Sequence, residues 1–186
     1  MRKAVLISIK PKWVELIASG RKTIEIRKTR TKLETPFKCY IYETRGFERV
    51  GNDNLNCVIG GNGRGMVIGE FVCDRIFTIQ LTEEGYDFDC PKLTGLRYEE
   101  MSSYLNFEDG YGWHISDLVI YDKPKELTDF IRPSGGCCNE GKCGGCKFFD
   151  KGNGYNVEDD CLADFDTDKY SVVRRAPQSW CYIEEL

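Results

Sequence analysis

The chain has 186 residues, enough for one well-filled core and too few for two ordinary domains. With 41% apolar and 30% charged residues, and no run of about 18 apolar residues, its composition excludes a disordered polypeptide and a membrane-spanning helix. A net charge of −4 excludes a basic coat for gripping duplex nucleic acid, but leaves room for a local basic cleft. The charges are uneven, since the first 50 residues are rich in Lys and Arg while "EDDCLADFDTD" at 158–168 is acidic.

The opening "MRKAVLISIKPKW" carries too short an apolar run for a signal peptide, so cytoplasmic residence is expected. "KAVLISIK" reads as a buried strand. Pro11 suits the first turn of a helix, with Trp13, Leu16 and Ile17 on one face. Gly20 sits where a left-handed residue ends that helix. In "TIEIRK", Ile24 and Ile26 alternate with Thr23, Glu25 and Arg27, which predicts a strand with a polar face.

"FKCYIYET" is a third strand, and the Gly- and Asn-rich residues 45–65 read as a long loop or irregular hairpin. "MVIGEFVCDRIFTI" is the longest strand signal, with Gly69 marking a bulge or bend. "GLRYEEMSSYLN" has the length of a short helix, with Leu96, Met101 and Leu105 facing inward. "GWHISDLVIYD" is a strand expected to stop at Pro124, and "SWCYIEE" closes the chain as another. Several strands with helices grouped rather than alternating give an α+β class with a small mixed barrel and flanking helices.

Two features carry chemistry. Glu25 and Arg27 lie two apart on a strand and share a face, Lys22 stands at the preceding corner, and Lys10 ends the first strand. One carboxylate among cations can hydrogen-bond a polar heterocycle or flank an anion. Alternatively, the same residues are a solvated strand face. The single histidine, His114, lies beside Tyr111 and Trp113, flat side chains suited to stacking on bases. Equally, His114 reads as an ordinary strand histidine, and the spacing of Trp13 favours the core.

The second feature is "CCNEGKCGGCKFFDKGNGYNVEDDC", which sets Cys143 and Cys146 as C-x2-C. Cys138, Cys143, Cys146 and Cys161 form a thiolate set suited to structural zinc, with Cys137 an equal alternative to Cys138. An iron–sulfur cluster is the less suited occupant. Metal ligation explains how so polar a segment folds, and four thiolates leave no open position for catalysis. The other cysteines, Cys39, Cys57, Cys73, Cys90 and Cys181, read as scattered core or surface residues.

"GRKTIEIR", Gly20 to Arg27, fits the G-x-K-x-x-E-x-R signature and resembles the ASCH domains of the PUA-like superfamily. "LISIKPKWVELIASGRKTIEIRK", "GRGMVIGEFVCDRI" and "GWHISDLVIYDKPKEL" are similar to that family's opening, central and closing segments. "RRAPQSWCYIEEL" resembles the ending of its phage and prophage members. The resemblance implies one PUA-like domain over residues 1–186, interrupted by a Cys-rich insert at 133–168. It also implies a cleft for RNA or a modified nucleoside or nucleotide, bound through Lys10, Lys22, Glu25, Arg27, Trp113 and His114.

One branch of that family is an amidohydrolase that deacylates N4-acetylcytidine with a lysine, a threonine and a glutamate. Lys22 matches the lysine, but Glu25 occupies the threonine position and Thr23 is out of register. Glu99 and Glu100 are the candidates for the remaining glutamate. The resemblance therefore implies a binding module first. A small hydrolase, an amidohydrolase or ribonuclease using Lys22 and Glu25, is the alternative.

Overall fold

The computed structural model of the chain describes residues 2–50, 57–60, 62–83, 85–87, 90–133 and 172–186. The chain opens with β1 (Lys3–Ile9), α1 (Pro11–Ala18), β2 (Ile24–Arg27) and β3 (Phe37–Glu43). A hairpin of β4 (Phe47–Val50) and β5 (Cys57–Gly60) lies within the expected irregular region. Then come β6 (Val67–Cys73), β7 (Ile76–Ile79), the small pair β8 (Leu81–Thr82) and β9 (Gly85–Tyr86), and helices α2 (Cys90–Thr94) and α3 (Tyr98–Leu105). β10 (Gly110–His114), β11 (Ser116–Lys125), a 3-10 turn at Leu127–Asp129 and β12 (Trp180–Glu184) complete it.

Two sheets carry the architecture. The larger has the order β11-β6-β3-β1-β12, and the smaller β2-β10-β7. β1 runs parallel to β3 and antiparallel to β12, which places the end of the chain beside its beginning. The fold is α+β and mostly sheet, but among the described residues the hydrogen-bonded ladders form these two open sheets and two small strand pairs, not the expected closed barrel.

Three apolar layers follow from strand alternation. Val5, Ile7 and Ile9 of β1 join Cys39, Phe71 and Trp113 between the two sheets. Ala4 and Leu6 face the other way, onto Tyr40, Phe130 and Ile183. Ile24 and Ile26 of β2 pack with Leu96, Met101 and Leu105, the inward positions expected of the helical segment. Glu25 and Arg27, on the opposite face of β2, are therefore driven into the space between the sheets.

Two strand expectations need correction. "MVIGEFVCDRIFTI" is two strands, because the chain turns at Asp74 and Arg75 and passes from the larger sheet into the smaller. The β10–β11 segment divides at Ile115 for the same reason, and β11 continues through Pro124 to Lys125. β11 is an edge strand whose pairing with β6 shifts register between Ile120 and Lys125, so a residue without an N–H is accommodated. At Gly69 the β3–β6 ladder skips a residue, and a Cβ there would lie 2.4 Å from the carbonyl oxygen of Val119. No helix among the described residues is long and apolar enough to cross a membrane.

Candidate functional site

The end of α1 sets the first charged group. Gly20 takes φ +71°, and the Lys22 amide donates to the Leu16 carbonyl, so the chain folds back under the helix. The Lys22 side chain then turns inward and is 2% exposed. Its Nζ donates to the carbonyl oxygens of Ile24 at 2.8 Å and Thr94 at 2.7 Å, and lies 3.2 Å from Glu25 Oε2. An ammonium has three donors, and three acceptors surround this one. The ring of Trp13 lies 5.5 Å away.

Glu25 is held between two cations. Arg27 Nη1 donates to Glu25 Oε1 and to the Ile26 carbonyl, while Nη2 donates to the Ser8 carbonyl at 2.7 Å. Burial pushes the Glu25 carboxyl up, but Lys22 and Arg27 together outweigh it and hold it below its ordinary range. Burial lowers the Lys22 pKa, and Glu25 opposes that shift. Lys22, Glu25 and Arg27 thus form a buried triad with one net positive charge. The Nε of Arg27 has no hydrogen-bond partner among the described residues.

The triad is the floor of a cavity of about 250 Å³. One wall is aromatic and apolar: Trp13 from α1, Leu96 before α3, and Tyr104 from α3. Lys10, Thr44, Gln178 and Ser179 add polar groups to the lining. Lys10 caps α1 in an extended conformation and is exposed at the rim. Lys28 lies 5.7 Å from the Tyr104 ring, and Lys12 lies 4.3 Å from the Trp13 ring, so both aromatic groups carry an adjacent cation. Burial raises the Tyr104 hydroxyl pKa, so it stays a neutral donor and acceptor.

Of the residues expected from sequence, Lys10, Lys22, Glu25 and Arg27 converge on this cavity, and Trp113 and His114 do not line it. Trp113 pairs in register with Glu25, but its ring is fully buried between Phe37 and Trp180, leaving no face for a base. His114 Nδ1 lies 2.6 Å from Asp74 Oδ1, beyond the cavity wall. Glu100 is also outside the lining, in a 2.9 Å pair with Lys12. Sequence reading missed Tyr104, Thr44, Gln178 and Ser179. Tyr104 falls on the less apolar face of α3, and the last two come from the far end of the chain.

Cys138, Cys143, Cys146 and Cys161, together with Cys137, lie outside the described residues. Within the described residues no three His, Cys, Asp or Glu side chains stand together to hold a metal. Cys39, Cys73 and Cys181 are free thiols; burial raises the pKa of each, that of Cys73 to about 12.

Residues 7–115 match the family model of the ASCH domain. No curated protein matches the chain. Among solved structures, the ASCH protein from Zymomonas mobilis is 19% identical, with 67% of this chain and 73% of that chain covered and a TM-score of 0.49. A serine-to-alanine variant of that protein is 16% identical and aligns over 99% of this chain and 90% of its own, with a TM-score of 0.54. The second likeness bears on the fold alone. With more than half of its residues inside the family match, the chain belongs to the ASCH domain family.

Proposed function

We propose that the chain binds RNA or a nucleotide derivative, taking a base into the cavity above Lys22, Glu25 and Arg27. The observation that carries this reading is the buried charged triad beneath an aromatic wall of Trp13 and Tyr104. Stacking holds a base without regard to its identity, and fixed charges meet its polar edge. Lys10 at the rim supplies a cation for a phosphate. Isothermal titration with the four 5′-ribonucleoside monophosphates and a short single-stranded RNA tests it. Saturable binding that weakens with salt is expected, and no binding at low salt overturns it.

A hydrolase using Lys22 and Glu25 has less support. A nucleophilic or basic lysine needs a free lone pair. Burial favours one here, but Glu25 and two carbonyl oxygens favour the ammonium. Release of cytidine from N4-acetylcytidine by wild type, lost in Lys22→Ala, would reverse that ranking.

The finer reading of the fold is one cytoplasmic PUA-like domain of phage type, with residues 133–168 inserted. Structural zinc on Cys138, Cys143, Cys146 and Cys161 is part of it, supported by the C-x2-C spacing. Metal analysis of the purified protein is expected to find one zinc per chain. Finding neither zinc nor iron overturns the metal site.

A further inference from the structure

The segment before β12 forms one wall of the cavity although it lies outside the residues that match the family model. Its position is fixed through Ser8. The Ser8 amide donates to the Ser179 carbonyl at 2.9 Å, and the Ser8 hydroxyl donates to the Pro177 carbonyl at 2.7 Å. The remaining polar group of Ser8, its carbonyl, accepts from Arg27 Nη2 at 2.7 Å. One serine therefore clasps the residues on both sides of Gln178 and ties them to the charged floor.

Between those two anchored carbonyls, Gln178 is exposed and lines the same cavity as Trp13 and Tyr104. No described residue engages its amide, and its immediate neighbours are held still. A side chain of this kind presents one donor and one acceptor from a preorganised backbone. The charged floor, by contrast, has its donors largely committed to Glu25 and to backbone carbonyls.

We propose that Gln178 is the specificity-determining residue of the cavity, reading the hydrogen-bonding edge of the base that stacks on the aromatic wall. The inference rests on the nucleotide-binding reading above, and adds that discrimination between bases comes from the C-terminal segment, not from the signature motif. A carboxamide pairs with edges that offer a donor beside an acceptor. A carboxylate at the same place accepts only, and so favours bases with an exocyclic amino group over uracil.

The test compares the affinities of the four 5′-ribonucleoside monophosphates for wild type, Gln178→Ala and Gln178→Glu, with thermal melts as a folding control. Gln178→Ala is expected to level the wild-type preference. Gln178→Glu is expected to move the ratio of cytidine to uridine monophosphate by about tenfold toward cytidine. Binding with the same ratios in all three proteins overturns the role of Gln178 and leaves the nucleotide reading standing. If wild type binds none of the four, the role of Gln178 falls, and the nucleotide reading falls with it only if the short single-stranded RNA also fails to bind.

Discussion

Two polar groups on neighbouring strands of this protein meet opposite fates. Lys22, Glu25 and Arg27 gather around β2 with side chains almost wholly buried, whereas His114 of β10 and Asp74 leave 37% and 42% of their side chains exposed. Both are close polar contacts, and β2 and β10 are hydrogen-bonded to each other. The difference is alternation. Glu25 and Arg27 share the face of Trp113, which the larger sheet covers, while His114 falls on the alternate face at the strand end. The covered group lines the cavity and the exposed pair does not, so burial rather than residue type separates a candidate site from surface decoration.

The sharpest way to break that contrast is to neutralise the centre of the triad. Glu25→Gln leaves two cations buried with no countercharge, and the loss of one partner from a buried ionic group costs about 3–5 kcal/mol. Chemical denaturation of wild type and variant measures it. A loss below about 1 kcal/mol would mean that the triad is hydrated like a surface pair.

Acid titration of stability sharpens the same point with a smaller effect. Glu25 has a folded pKa below its ordinary 4.5, so its contribution is present above that value and is lost as pH falls through the folded pKa. Lys22 gives a slope of the same sign in a higher pH window. Its folded pKa lies below 10.5, so the unfolded chain holds the proton more tightly and stability rises as pH climbs through that window. Wild type is therefore expected to lose stability below about pH 4.5 more steeply than Glu25→Gln. Parallel acid limbs in the two proteins would remove Glu25 as the cause.

Local chemistry made half of the site legible. Pro11, Gly20 and the Ile24–Ile26 alternation place the helix, the corner and the polar strand face within about twenty residues, so Lys22, Glu25 and Arg27 are adjacent by local geometry. In "YGWHISD" alternation sets Tyr111, Trp113 and Ile115 on one face and Gly112, His114 and Ser116 on the other, but not which face a second sheet covers. Only pairing with β2 decides that Trp113 goes inward. Gln178 and Ser179 were beyond reach for another reason. The β1–β12 ladder brings them beside Ser8 across nearly the whole chain, and no local pattern encodes such a contact. The barrel expectation erred by treating every edge as one that must close, whereas the ladders of the described residues end in open edges.

The smallest effect belongs to the exposed pair. The hydrogen bond from His114 is the main cause of the lowered Asp74 pKa, yet water screens both groups. Exposed pairs of this kind contribute about 0.2–1 kcal/mol, and less as salt rises. His114→Ala is therefore expected to cost less than about 1 kcal/mol, and that cost should shrink further in high salt. It should also leave nucleotide binding unchanged, since His114 lies outside the cavity lining. A tenfold loss of nucleotide affinity with stability intact would carry the binding surface across β10 to Asp74. Exposure would then no longer mark the edge of the site, and the division between the two groups would have to be redrawn by what each contacts in the complex.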